Sequence, residues 1–588
     1  MSRLEQTTHY PPSFSDDASA TVTDLQGQVA HRDAIAHNAR FEHKLWSPRP
    51  GVWCMVGNGL SNQTFVEGPQ GLIAIDTGEC VEEMAHALAA VRQHSASPIA
   101  AVIYTHFHYV GGTQAVLPFA KTADGGELPI WGHQRIVANR LRISTEVSGA
   151  AARGMAHQFG IFLPAQGPDG LVGTGLGQAY RRPDHAPYTQ GFLPPTHSFE
   201  TATEATIAGL RVVMTPAPSD CDDSITIWFP ELGLCVNNMV WPTLFNVFPI
   251  RGEEYRDPRV LLAGLDHIRS LQADYLLGAH GPPLSGKAEI MTEVTAYRDS
   301  IQFMWDQTVR GINKGLTLGE LCDSVKLPAV FARSYFTRPY YGVVEHHVRQ
   351  IHNGLRGWFD GDELALFPLP PQDRATRLVA GFGGAEAVRA PAEQALADDD
   401  LRWALELSAW LVQSDPSAAA RADAGSQPDR ARLAAVLRAI GQRSTAANIR
   451  NWCLTRALEL EGKLDLNRFR RHRFSRSDVL GSPPEAFVHT LRVILDPNKS
   501  VGLDDELAWR FTPGGEQTGL HLRNGVAAIT DGTRAERWIE LDLPTWASIV
   551  SGRTRMSEAI ASGAVKAFGD HARILALLAC FEHPSLGV

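Results

Sequence analysis

At 588 residues the chain is long enough for about four domains of roughly 150 residues each. A 44% hydrophobic and 20% charged composition excludes a globally disordered protein. Lys and Arg number 54 against 64 Asp and Glu, and the resulting charge of -10 argues against a protein that wraps nucleic-acid phosphates.

The seven cysteines are scattered and form no Cys-x-x-Cys pair, which disfavours a thiolate zinc site and a disulfide framework. No apolar run approaches the roughly 20 residues that a membrane span needs. The N-terminus turns polar and acidic where a signal peptide needs its apolar stretch. The expected setting is therefore cytoplasmic.

In chain order, residues 1–44 are polar and irregular and read as an arm. From Gly51 the segment GVWCMVGNGLSNQTFVEGPQGLIAIDTG alternates apolar strands with glycine turns. Residues 81–94 have the spacing of an amphipathic helix, and 99–104 (IAAVIY) that of a buried strand. Strand, helix, strand in that order implies a right-handed crossover under covering helices. Further strands are expected at 210–214, 224–229, 234–236 and 274–277. A glycine- and proline-rich stretch at 164–195 reads as a lid or binding wall. The first large domain spans 45–300.

Helices dominate from Glu289 onward, with a long amphipathic helix closed by Gly315. Helical pairs are expected through 301–440, including the segment around ADDDLRWALELSAWLVQSDP and the Arg/Ala-rich stretch after it, with a helical linker over 441–466. The last domain, 467–588, alternates as a small antiparallel sheet covered by helices at 546–551, 554–562 and 574–581.

The sharpest motif is Tyr104-Thr105-His106-Phe107-His108-Tyr109-Val110-Gly111-Gly112. Histidines at i and i+2 after a strand point to one side, where two imidazoles can hold one metal ion. The plainer reading is a pair of histidines bonded to nearby backbone. Asp76 ends an earlier strand, the run 215–224 (TPAPSDCDDS) joins two strands, and His280 follows the strand around DYLL. All these residues thus lie at strand ends, where α/β enzymes gather ligands.

Together these motifs resemble the metallo-β-lactamase superfamily and, within it, the alkylsulfatases. Leu60-Ser61-Asn62-Gln63-Thr64, LPAQGPDGLVGTGLG at 163–177 and FTRPYYGVVEHHVRQIHNGLRGWFDGD carry the likeness further along the chain. The resemblance implies an α+β protein: an αββα sandwich, then a helical dimerisation domain, then a sterol-carrier-like α+β C-terminal domain. A homodimer is implied, across which the N-terminal arm could wrap.

The family motif reads Thr-His-x-His-x-Asp-His-x-Gly-Gly and holds two metals. His106 and His108 match its first two histidines, while THFHYVGG is two residues shorter and lacks the Asp-His pair. Asp220 falls where the family has a glutamate ligand, Asn238 where it has a second carboxylate, and His280 at the late histidine. The resemblance therefore implies one divalent ion held by His106, His108 and Asp220, with His280 as a fourth candidate. Zinc is the family's metal; iron and manganese suit the same donors. Open alternatives are a remodelled binuclear site recruiting Asp222, Asp223 or Tyr109, and a metal-free remnant.

Asp220 and Asp222 are candidates for acid–base work, although DCDD is also ordinary turn composition. Asp76 is expected to orient a histidine from behind. In the segment matching the family's sulfate subsite, Asn246 and Arg251 keep the polar positions, while Phe248 and Pro249 replace Tyr and Thr. Arg251 suits a bidentate contact with an anion, and Phe245 could wall the organic part. The expected function is metal-dependent hydrolysis of an alkyl sulfate or related anionic ester through metal-bound water. Two alternatives stand beside it: a mononuclear-metal lyase or oxygenase on the same scaffold, and a non-catalytic binder of apolar ligands.

Overall fold

The computed structural model describes residues 9–122, 125–415, 427–472 and 474–587. Contacts divide the chain into two compact units, residues 1–136 with 154–466 and residues 137–153 with 467–588.

The larger unit is built on two stacked sheets. A seven-stranded sheet runs Lys44–Arg49, Val52–Val56, Gln63–Gly68, Gly71–Ile75, Ile99–Ile103, Ile130–His133 and His197–Phe199 in spatial order. A six-stranded sheet runs Thr203–Ile207, Leu210–Pro216, Ile225–Phe229, Leu234–Asn237, Tyr275–Gly278 and Leu284–Ser285. Strand alternation sorts their side chains. Val66, Ile73, Ile75, Ala101 and Ile103 from one sheet share a core with Met214, Ile225, Ile227, Phe229 and Val236 from the other. Cys235 and Leu276 point the opposite way and pack against Leu261, Leu265 and Ile268 of the helix Pro258–Leu271. On the outer side of the first sheet, the helix Val81–Val91 buries Met84, Ala87, Leu88 and Val91. This is the helix–sheet–sheet–helix sandwich that the resemblance implies.

The expected division at 300 falls inside one continuous helix, Lys287–Asn313. Its buried stripe of Ile290, Val294, Tyr297, Ile301 and Met304 is shared between Pro258–Leu271 of the sandwich and Val344–Arg356 of the helical region. One apolar face serving two neighbours gives the chain no natural break there. The helices Pro428–Arg443 and Ala447–Leu460 likewise pair across the expected boundary at 440. Part of the Arg/Ala-rich stretch, 416–426, lies outside the described residues.

The N-terminal stretch departs from the irregular arm expected of it. Thr21–Thr23 and Val29–His31 form a hairpin followed by the helix Arg32–Ala39, with Ala30, His37 and Phe41 buried. Tyr10 donates to the Thr337 carbonyl at 2.7 Å, and Arg450 donates to the Val29 carbonyl at 3.0 Å. The segment therefore packs on its own chain. Its few apolar anchors are too sparse to register as periodicity.

The smaller unit carries a five-stranded sheet, in the order Val526–Thr530, Gln517–Arg523, Asp504–Thr512, Arg537–Asp542 and Lys566–Phe568. It is mixed rather than antiparallel, because Asp504–Thr512 and Arg537–Asp542 pair in parallel. Leu507, Trp509 and Phe511 face inward at period two onto Trp546, Ile574 and Leu577 of the covering helices.

Phe229 is fully buried between the two sheets of the larger unit. Phe229→Ala is expected to cost about 3–5 kcal/mol through lost burial and a residual cavity. Scanning calorimetry should show the larger unit melting earlier; an unshifted transition would contradict the two-sheet core.

Candidate active site

The sandwich delivers the motif residues to one edge. His106 and His108 follow the strand Ile99–Ile103, Asp76 follows Gly71–Ile75, and Asp220 lies between Leu210–Pro216 and Ile225–Phe229. The two sheets are stitched together here: the Ile225 amide donates to the Thr105 carbonyl at 2.9 Å, and the Asn62 amide to the Ala279 carbonyl at 2.7 Å. Gly111 and Gly112 make the turn after the histidines possible. A Cβ on Gly112 would lie 2.1 Å from the Thr77 carbonyl oxygen, and one on Gly111 2.3 Å from that of Glu79. The 164–195 segment lies on the same turn, with the Gly191 amide donating to the Gly111 carbonyl at 2.7 Å.

Hydrogen bonds fix the histidine tautomers. Thr105 donates its backbone N–H and its hydroxyl to the two Asp76 oxygens, at 2.8 and 2.6 Å. The Thr105 Oγ1 therefore accepts from His106 Nδ1 at 2.8 Å, leaving the His106 Nε2 lone pair facing inward, buried and without a partner. Asp76 thus orients His106 through Thr105. His280 Nδ1 donates to the Leu60 carbonyl at 2.9 Å, so its Nε2 lone pair also faces the site. Burial holds both rings neutral, pushing His106 down to about 3 and His280 down to about 4.

His106 Nε2 lies 3.9 Å and His108 Nδ1 3.1 Å from the same Asp220 oxygen, Oδ2. The other oxygen, Oδ1, accepts from Asn238 Nδ2 at 2.6 Å and from Cys221 Sγ at 3.3 Å. Among the described residues, His106, His108, Asp220 and Cys221 bring their ligand atoms within 4.8 Å of one another. This donor set fits one divalent cation: an orphaned imidazole nitrogen, a second imidazole and a carboxylate oxygen meet in a buried space. Burial raises the Cys221 thiol well above its usual range, so its sulfur is the poorest donor of the four.

The other expected residues fall differently. His280 stands outside that cluster, because its Nε2 accepts the Tyr109 hydroxyl at 3.2 Å. The Tyr109 ring lies 4.9 Å from His106 and 5.4 Å from His280, centroid to centroid. Tyr109 thus fills the space between His280 and the cluster. Asn238 braces Asp220 with its amide nitrogen instead of offering an oxygen inward. Asp222 points to Arg135, at 2.9 Å on the partly exposed rim, which removes it from the reacting centre. Asp223 is buried, and its carboxyl is pushed up to about 6. Phe245 is fully buried against Trp241 and Tyr297, a core side chain rather than an open wall. Asn246 is fully buried with neither amide atom hydrogen-bonded, an arrangement that points to a polar ligand.

Sequence reasoning missed Glu253 and Arg256. Glu253 pairs with Arg251, lies 3.1 Å from Arg256 Nη2, and approaches His108 Nε2 to 3.6 Å. Burial alone would lower His108, but the Asp220 and Glu253 carboxylates outweigh it and push that ring up to about 9. The available signal was only a cluster of charged residues, RGEEYR, beside the segment matching the sulfate subsite.

Two stacked sheets bring histidines and a carboxylate together at their shared edge, an arrangement suited to holding a metal ion. A family model for alkyl sulfatase dimerisation matches residues 317–463, and one for the alkyl sulfatase C-terminal region matches 474–587. A linear primary-alkylsulfatase from Pseudomonas is 34% identical over 88% of this chain and 98% of its own length. An (R)-specific secondary-alkylsulfatase from Pseudomonas is 29% identical over 94% of this chain and 82% of its own. The solved structure of a double mutant of the sec-alkyl sulfatase PisA1 matches with a TM-score of 0.82 and 25% identity, covering 99% of this chain and 93% of that one. The chain belongs to the alkylsulfatase family.

Thr105→Val removes the hydroxyl that holds His106 Nδ1 while keeping the side-chain shape. Zinc affinity, measured by chelator competition, is expected to fall roughly 10–100-fold. Unchanged affinity would show that the Asp76–Thr105 relay does not orient the ligand.

Proposed function

We propose that this protein hydrolyses a sulfate monoester of an apolar alcohol, using a single divalent metal ion. The observation that carries this reading is the convergence of His106 Nε2, His108 Nδ1 and Asp220 Oδ2. His106, His108 and Asp220 would hold the ion, zinc by family expectation. When bound it supplies Lewis acidity and a lowered water pKa.

The chain's own groups do the remaining work. Asn238 and Cys221 hold Asp220 so that Oδ2 faces the histidines. Tyr109 keeps its proton, because burial and the nearby Asp220 raise its phenol well above the ordinary range. Through that proton it hydrogen-bonds His280 Nε2 at 3.2 Å. A neutral phenol therefore stands beside the late histidine, and with one metal, protein donors must stabilise developing negative charge. Asn246 and Arg251 are the groups assigned to the sulfate oxygens. Trp241 and Tyr341, in edge contact with ring centroids 5.9 Å apart, are buried, and Trp241 packs against His280.

A homodimer joined through the helical region fits the dimerisation-model match at 317–463. Among the described residues no helix is long and apolar enough to cross a membrane. A cytoplasmic setting suits seven cysteines that are all free thiols.

Purified protein analysed by plasma mass spectrometry should carry about one divalent ion per chain, and it should cleave alkyl sulfates in preference to a phosphonate ester. His108→Ala is expected to lose both metal and turnover. Two ions per chain would overturn the single-metal reading, and full activity in His108→Ala would overturn the site.

A further inference from the structure

We infer that Glu253 is a built-in anion occupying the sulfate-binding guanidinium, and that it sets which substrates the site admits; this rests on the hydrolase reading above. Its carboxylate spans two cations. Oε1 pairs with Arg251 Nη1 and also faces His108 Nε2 at 3.6 Å, while Oε2 lies 3.1 Å from Arg256 Nη2. The three side chains are nearly enclosed, Arg251 at 12% exposure, Glu253 at 7% and Arg256 at 2%.

Donor capacity remains unused around this carboxylate. Arg251 Nε, Arg256 Nε and Asn246 Nδ2 are buried N–H donors without hydrogen-bond partners. The backbone carbonyl of Asn246 accepts from Arg256 Nη1, which ties the arginine to the loop carrying Asn246. Glu253 thus leaves buried N–H donors on both of its arginine partners unpaired. A sulfate monoester offers three terminal oxygens on one centre and can satisfy more of them.

Selectivity follows from the exchange. An uncharged ester cannot replace the carboxylate, because its departure would leave two buried guanidinium ions without a counter-charge. A compact anion can replace it, but its measured affinity is reduced by the competition with Glu253. The exchange needs only rotation of the Glu253 side chain, and no bond is made or broken.

The probe is inorganic sulfate, titrated calorimetrically at constant ionic strength into the metal-loaded full-length protein. Glu253→Gln, close in shape but uncharged, is expected to bind sulfate at least ten-fold more tightly than the unaltered protein. Sulfate should also raise its Tm more, and its KM for a short-chain alkyl sulfate should fall. Adding Arg251→Met should erase the gain. If Glu253→Gln does not accumulate, Glu253→Asp, one methylene shorter, should show a smaller gain of the same sign. Equal or weaker sulfate binding in these variants would overturn the inference and leave Glu253 as a structural partner of the arginines. Tighter sulfate binding with no alkyl sulfate turnover in any form would overturn the hydrolase reading while upholding the role of Glu253.

Discussion

The arrangement depends on one carboxylate oxygen. Asp220 Oδ2 is the point at which His106 from the seven-stranded sheet and His108 beside it meet the loop of the six-stranded sheet. Each participant is braced from behind: Asp220 by Asn238, His106 by Thr105 and Asp76, and His108 by Glu253. Because the braces come from both sheets, the sandwich core fixes the spacing of the donors, and side chains on flexible loops do not have to find it. A buried constellation of this kind is stable only when each polar group is paired or awaits a ligand. Among its orphaned atoms, His106 Nε2 and the Asn246 amide point to ligands.

On the proposed reading, Tyr109 and Asn238 separate this site from a two-metal one. Asn238 falls where the resemblance places a second carboxylate, and Tyr109 lies in the shortened motif that lacks the Asp-His pair. A phenol hydrogen-bonded to His280 and an amide nitrogen bonded to Asp220 satisfy those neighbours without a second ion. The change removes positive charge from the centre, and Arg251 and Arg256 hold positive charge beside it. Glu253 tempers that charge. On that reading the site replaces a second metal's field with an arginine pair, to which Glu253 is the internal counter-charge.

Much of this was legible in the chain. The strands around Ile99–Ile103, Leu210–Pro216 and Ile225–Phe229 announced themselves through apolar runs between turns, and the His-x-His motif marked the edge where His106, His108 and Asp220 converge. The domain divisions were less readable, because Lys287–Asn313 shares one buried stripe between two neighbours and composition does not change along it. The N-terminal hairpin was hidden by its polarity. Asp222 and Glu253 show a further limit: within acidic runs such as DCDD and RGEEYR, sequence cannot tell which carboxylate turns inward. Here Asp222 meets Arg135 at the rim, while Glu253 enters the centre.

X-ray absorption at the zinc edge tests the single-metal centre most directly. The account predicts one zinc with two imidazole shells at roughly 2.0–2.1 Å and oxygen donors, without a metal–metal vector. A second zinc scatterer at about 3.5–4 Å would contradict it, because Tyr109 and Asn238 would then have failed to displace the second ion.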